Sequence, residues 1–176
     1  MQTSREFAAK RLAGLRDYEY FWEPTPGAWS IRRRGEAGSP GAYGAGNWRL
    51  DFAEPDPEPG PMTTIAWRLG HLYAGFALRR EWTFGGREKL NDSLEFAGSA
   101  TEALDRLWGI VDRWHDDVAS LSEAQLDTVG FGRYPHGLDP HLPFVCIVWW
   151  MNRELIHHTA EAALLRDLWA AGTDGR

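Results

Sequence analysis

Glu154 and His158 stand four residues apart in the stretch NRELIHHTAEAALLRDL, Asn152 to Leu168. In a helix each residue turns about 100° from the last, which puts Ile147, Met151, Glu154, His158, Ala162, Leu165 and Trp169 on one face. Two ionisable groups then sit in an apolar stripe, their Cβ atoms about 5–6 Å apart. A carboxylate taken out of water needs a partner or a cation. An i, i+4 pair on one helical face can give two ligands to one metal. His71 repeats the anomaly, sharing a helical face with Thr64, Trp67, Ala74, Gly75, Leu78 and Trp82. Gly75, one turn on, leaves room beside the imidazole for a metal, a water or a substrate. Together His71, Glu154 and His158 would offer two imidazoles and one carboxylate. That set suits Zn, Ni or Fe(II) and leaves coordination positions open, as a catalytic site does. Spacing alone also admits a second reading, in which Glu154 and His158 form a hydrogen-bonded core pair and a tryptophan N–H or a carbonyl satisfies His71.

The neighbouring polar residues divide by spacing. His157 and Glu161 are also four apart, on an adjacent face. Glu161 is expected to accept from His158 behind the metal, with a fourth-ligand role as the alternative. His157 is expected in a groove beside Trp150, packing or touching substrate. Asn152, Arg153 and Arg166 are candidates for polar support around the ligands. His136 and His141 in HGLDPH are five apart on a loop and read as an exposed turn. His115-Asp116-Asp117 reads as the polar end of a helix. Cys146 lies in an apolar run and reads as an inert core thiol. GAYGAG, Gly41 to Gly46, lacks the following Lys-Ser or Lys-Thr of a phosphate loop. No Ser-His-Asp set is apparent.

Four helical segments must position these groups. Ser4 to Phe21 carries Phe7, Leu12, Leu15, Tyr18 and Phe21 at helical spacing. Thr63 to Phe84 starts at a threonine cap and ends at Gly85-Gly86. Ser99 to Ala119 opens with a capping box, Ser99 to Glu102, and presents the stripe Leu104, Leu107, Trp108, Val111, Trp114 and Val118. Phe144 to Ala171 is apolar on most sides at its start and is expected to be buried against several neighbours. A short turn is expected at Ser122 to Leu126, and Thr128 to Leu142 is a Gly/Pro-rich connector. Residues Ser30 to Pro61 show no periodicity and hold repeated Gly and Pro. They are expected to form an irregular crossover over one end of the helices, with Trp29, Tyr43, Trp48 and Phe52 as anchors and Arg32 to Arg34 as a solvated run. No segment alternates at period two. The expected fold is all-α, a single-domain four-helix bundle over residues 1–176.

Composition removes several functions. The chain has 176 residues and a formal net charge of −6, which disfavours general nucleic-acid binding. One cysteine excludes a disulfide framework and a multi-cysteine zinc site. The opening MQTSREFAAK has no apolar core and does not read as a signal peptide. The apolar run Pro143 to Met151 is too short for a membrane span. A cytoplasmic protein follows as the expectation, with a small-molecule substrate as partner and a homodimer left open. Lys10 and Lys89 are the only lysines among the basic residues, an arginine bias typical of a GC-rich genome.

TTIAWRLGHL (Thr63 to Leu72) and ELIHHTAEAALLRDL (Glu154 to Leu168) resemble the DinB superfamily. LRDYEYFWEPTPGAWSIR (Leu15 to Arg32), with its Pro-Gly-x-Trp-Ser turn, fits as well. The resemblance implies a four-helix bundle that holds a divalent metal with a histidine of the second helix and an i, i+4 pair of the last, here His71, Glu154 and His158. Many members use three histidines. The carboxylate variant is similar to that of mycothiol-dependent maleylpyruvate isomerases. The resemblance therefore implies a metal-dependent enzyme, an S-transferase or isomerase, working with a low-molecular-weight thiol such as mycothiol. Metal-assisted hydrolysis with the same ligands is one alternative, and a non-catalytic metal- or ligand-binding bundle is the other.

Overall fold

The computed structural model describes residues 2–36, 38–86 and 91–173, and in it the opening helical segment is two helices. α1 spans Gln2–Leu12 and α2 spans Asp17–Tyr20. Gly14, at φ +71°, interrupts them in a left-handed conformation that costs glycine little. Arg166 fastens the break. Its Nη1 donates to the carbonyls of Arg11 (2.9 Å) and Ala13 (2.8 Å), and its Nε to Glu19 (2.7 Å). Carbonyls at a helix end lack intrahelical partners, and a guanidinium satisfies two at once here. Arg166 therefore supports the α1–α2 corner and not the histidines. The break also changes the phase of the stripe. Leu12, Leu15 and Tyr20 are buried, whereas Phe7 and Tyr18, expected inside, are 68% and 61% exposed.

The other helices begin at their expected caps. α3 spans Ile65–Phe84, and the Thr64 hydroxyl accepts from the Trp67 amide at 3.1 Å. α4 spans Ala100–Ala119, and Ser99 accepts from Glu102 at 3.3 Å. The Glu102 carboxylate takes the Gly98 amide (3.2 Å), so only half of the expected capping box forms. α5, Glu123–Leu126, has the full reciprocal box between Ser122 and Gln125. α6 spans Phe144–Thr173. α3 packs against α4 and α6, and α1 packs along α6. Leu69, Leu72, Phe76, Leu107, Trp114, Phe144 and Ile147 fill the core between them. Asp117, expected at a merely polar helix end, pairs with Arg80 at 2.6 Å and ties α4 to α3. α6 is not buried all round. Neighbours lie against only part of its circumference, so Trp149 is 76% exposed and Cys146 is an exposed thiol, not a core one. No helix among the described residues is long and apolar enough to cross a membrane.

The crossover between α2 and α3 is more ordered than its composition implies. It has no helix among its described residues, but it holds two antiparallel strands, β1 (Ile31–Arg33) and β2 (Trp48–Leu50), with Ile31 opposite Leu50. Three residues are too few for alternation to show in a sequence. Ile31 and Leu50 press onto Gly70 of α3, where a Cβ would stand 2.9 Å from the Cδ1 of each. The knot of the segment is Asp51, which is 1% exposed. Its carboxylate accepts from the Ser30 amide (2.9 Å), the Ser39 amide (2.8 Å) and Arg32 Nε (3.0 Å), and its carbonyl accepts from the Trp67 indole (2.8 Å). Arg32 also reaches Glu23 and the Ala28 carbonyl, and Arg34 reaches the carbonyls of Gly44 and Gly46. Arg32 and Arg34 of the arginine run are thus bonded into the crossover and not simply solvated, because a buried carboxylate and turning carbonyls need donors.

Replacing Asp51 with Ala strands two backbone amides and a guanidinium. Urea unfolding is expected to show a loss of about 2–4 kcal/mol with unchanged helical circular dichroism. Asn at the same position should lose less. A loss below about 1 kcal/mol for the alanine variant would contradict this role.

Candidate metal centre

His71 lies on the second turn of α3, and Glu154 and His158 lie on successive turns of α6, where the two helices pack. One nitrogen from each histidine and one Glu154 oxygen lie within 4.8 Å of one another. His158 is 8% exposed. Its Nε2 is 3.3 Å from Glu154 Oε2, and its ring meets that of His71 edge to face at 4.8 Å. Trp67 stacks flat on His71, 4.9 Å between centroids and 8° between planes. The Trp67 indole in turn is held by the Asp51 carbonyl, so the crossover fixes one face of His71.

The other edge of His158 is engaged. Nδ1 is 2.7 Å from Glu161 Oε2, and Arg68 reaches the same carboxylate at 2.9 Å. Arg68 also approaches Nδ1 to 3.2 Å. A guanidinium only donates, and the shorter contact assigns the Nδ1 proton to Glu161, so the approach reflects two donors on one carboxylate. That tautomer leaves Nε2 with a free lone pair facing His71 and Glu154. A carboxylate behind a histidine in this way orients it as a metal ligand. His157, His158 and Glu161 form a second close set. It suits a cation poorly, because Arg68 already occupies Glu161 and His157 is largely exposed with its Nε2 bonded to Glu161 (3.1 Å).

His71 and Glu154 line a cavity of about 610 Å³. Its walls include Trp67, Gly75 and Arg79 from α3, Trp150 and Met151 from α6, Tyr43 and Phe52 to Asp56 from the crossover, and Tyr134 and His136 from the connector. A Cβ on Gly75 would stand 3.8 Å from Met151 Cε and 3.9 Å from Arg79 Nη1, ordinary contact distances, so the glycine forms the cavity wall between these two residues. A family model of the DinB superfamily matches residues 47–162, more than half of the chain. The chain belongs to the DinB superfamily. No curated protein and no solved structure matches it.

The DinB match covers the second half of the crossover, α3 to α5, and α6 as far as Ala162, and so takes in all of His71, Glu154 and His158. It stops short of the opening segment, 15–32. The remaining residues singled out from the sequence are placed as follows. Arg153 donates to Glu154 Oε1 at 3.0 Å from an exposed position. Asn152 has a buried Oδ1 without a hydrogen-bond partner. His157 does not reach the cavity, although Trp150 does, so the expected groove contact is absent. His136 is exposed at the cavity rim against Tyr134, and His141 is exposed. Sequence reasoning missed Arg79 and Asp139. The signal for Arg79 was present: it continues the His71, Gly75 stripe by one more turn. Asp139 gave none, since it lies in a connector without periodicity.

In this DinB protein burial pushes the His71 imidazole down to about 4, with the proximity of His158 adding to the effect and Glu154 opposing it. His71 keeps some surface toward the cavity, but Trp67 and His158 crowd its ring. Burial raises Glu154, yet the Arg153 hydrogen bond and the two imidazoles outweigh it and hold the carboxyl below its ordinary range. Glu161 is likewise held low, burial being outweighed by the His158 bond and Arg68. The donor set is thus a neutral imidazole at His71 beside an ionised carboxylate, the state that a cation binds.

The depressed His71 value fixes a sign. The unfolded chain takes up the proton near 6.5 and the folded chain only near 4, so the unfolded state binds more protons in that window. The metal-free protein is expected to lose stability as pH falls from about 6.5 to about 4. In His71→Gln the slope over that window should be shallower. Equal slopes in chelator-treated wild type and variant, by urea titration, would contradict it.

Proposed function

We propose that this protein is a divalent-metal-dependent enzyme, with His71, Glu154 and His158 holding the metal at the base of an aromatic cavity in a DinB-type four-helix bundle. The observation that carries the reading is the convergence of two imidazole nitrogens and one carboxylate oxygen, with two of the three residues, His71 and Glu154, lining a cavity of small-molecule size. A structural zinc would call for a fourth protein ligand. The donors are nitrogen and oxygen, which suits Zn, Ni or Fe. Bound there, the metal supplies a Lewis acid that lowers the pKa of a thiol or a water beside it.

The chain's own residues narrow the reaction. No Ser, Thr, Cys or Lys lines the cavity among the described residues. The exposed Cys146 lies outside it. With none of these nucleophiles there, the DinB resemblance points to a low-molecular-weight thiol of the mycothiol type, making the reaction an S-transfer or a thiol-assisted isomerisation. Trp67 orients His71, and Glu161 with Arg68 orients His158. Tyr43, Phe52 and Trp150 give the cavity aromatic walls. Hydrolysis would use the same ligands with water as the nucleophile. Zinc-loaded protein is expected to consume thiol with an electrophile such as a chlorodinitrobenzene. Electrophile hydrolysis without thiol loss would favour the hydrolase, and neither reaction with any of the three metals would remove the catalytic reading.

Metal affinity tests the ligand set directly. His71→Ala combined with His158→Ala should abolish stoichiometric uptake by titration. Glu154→Gln should weaken uptake strongly, because a charged oxygen ligand is lost. Glu161→Gln should cost no more than the roughly 10–100-fold typical of a group that orients a ligand. The opposite ranking would place the metal on His157 and Glu161.

A further inference from the structure

We infer that Arg79 is the anion-binding residue of the cavity, and that the small molecule it takes carries a single carboxylate on an apolar or aromatic frame. The inference deepens the proposed function, since it names the substrate class of the same cavity. His71, Gly75 and Arg79 lie at i, i+4 and i+8 on α3, which sets the guanidinium's residue about 12 Å along the axis from the histidine. The Arg79 side chain is only 8% exposed, yet it lines the cavity. Its guanidinium carbon lies 4.1 Å from the centroid of the Trp150 ring and 4.7 Å from that of Tyr134.

The obvious bland role is a structural ion pair, because Arg79 Nε is 3.2 Å from Oδ1 of the fully buried Asp139. That role uses only one edge of the fork. No described residue accepts a hydrogen bond from Nη1 or Nη2. Neither is among the fully buried atoms without a partner, as Nε and both Asp139 carboxylate oxygens are, so both terminal nitrogens keep accessible surface. Each Nη group lies next to a glycine, and Gly75, beside Nη1, lines the cavity. A Cβ on Gly75 would stand 3.9 Å from Nη1, and one on Gly137 would stand 3.8 Å from Nη2. Asp139 thus approaches the guanidinium on its Nε side as an ion pair, the rings flank it, and the accessible terminal nitrogens, Nη1 on the side of the lining residue Gly75, are left for a ligand. A planar two-oxygen anion matches those two nitrogens with two parallel hydrogen bonds. The other walls, Tyr43, Phe52, Leu78 and Met151, fit an apolar body. Glu54, Asp56 and Glu154 add negative charge elsewhere on the lining, which favours one carboxylate on Arg79 over a polyanion.

Binding to metal-free protein tests this apart from catalysis. 3-Phenylpropionate and its neutral amide are titrated, with tryptophan fluorescence and calorimetry as readouts. The acid is expected to bind at least about tenfold more tightly than the amide. Arg79→Lys keeps a charge for Asp139 but loses the two-donor edge, and should lose most of that preference. The double variant Arg79→Met, Asp139→Leu removes the pair together and should bind acid and amide alike, while still taking up zinc. Equal binding of acid and amide by the wild type, no acid binding at millimolar concentration, or an unchanged preference in both variants would overturn the assignment. Acid preference without zinc uptake would sink the metal reading alone, and zinc uptake without acid preference would sink this one alone.

Discussion

Glu161 holds the Nδ1 edge of His158 at 2.7 Å, and much of the candidate site depends on that bond. It decides which nitrogen of a nearly buried imidazole is free, and the free one faces His71 and Glu154. The carboxylate is available for this because Arg68, three residues before His71 on α3, neutralises it at 2.9 Å. The contact between α3 and α6 thus carries polar groups at its centre, matched in pairs as burial of charge requires. Glu161 pairs with both Arg68 and His158, although Arg68 Nε stays without a partner among the described residues. His71 and Glu154 are satisfied only in part, and they are the groups that border the cavity.

The same requirement organises the crossover. Asp51 is withdrawn from water and gathers Ser30, Arg32 and Ser39 around its carboxylate. That gathering turns a Gly- and Pro-rich segment into an ordered wall. The Asp51 carbonyl holds the Trp67 indole, and Trp67 stacks on His71. A segment without periodicity therefore reaches the proposed ligand through two contacts. Ile31 and Leu50 close on Gly70 from the same side, so the seating of the crossover on α3 depends on a missing side chain.

At the far end of the cavity Asp139 of the connector is also withdrawn from water, but among the described residues its carboxylate meets only the Arg79 guanidinium, as an ion pair. That contact, 3.2 Å from Arg79 Nε to Asp139 Oδ1, joins the connector to α3. Burial raises the Asp139 carboxyl and lowers the Arg79 guanidinium, with the ion pair opposing both shifts. The cavity is bounded by two ordered irregular segments, and α3 and α6 supply His71, Arg79 and Glu154 to it.

Helical periodicity was enough to find α3, α4 and α6, because an amphipathic helix repeats over many turns and its caps are single residues with a fixed geometry. It also put His71, Glu154 and His158 on inward faces, since i, i+4 spacing is a property of the helix itself. The fine structure of the opening segment was out of reach: one glycine at positive φ resets the phase, and Phe7 and Tyr18 turn outward while Tyr20 turns in. Cys146 looked like a core residue because its neighbours are apolar, but how much of a helix is covered is decided by which helices pack on it. Arg32 and Arg34 looked solvated because nothing in the sequence shows which carbonyls and carboxylates will need them. The Arg79 and Asp139 pair joins residues sixty apart, and such a pairing exists only once the chain has folded. Local periodicity determined which side chains each helix offers; tertiary packing decided which of them lose water and therefore must find partners.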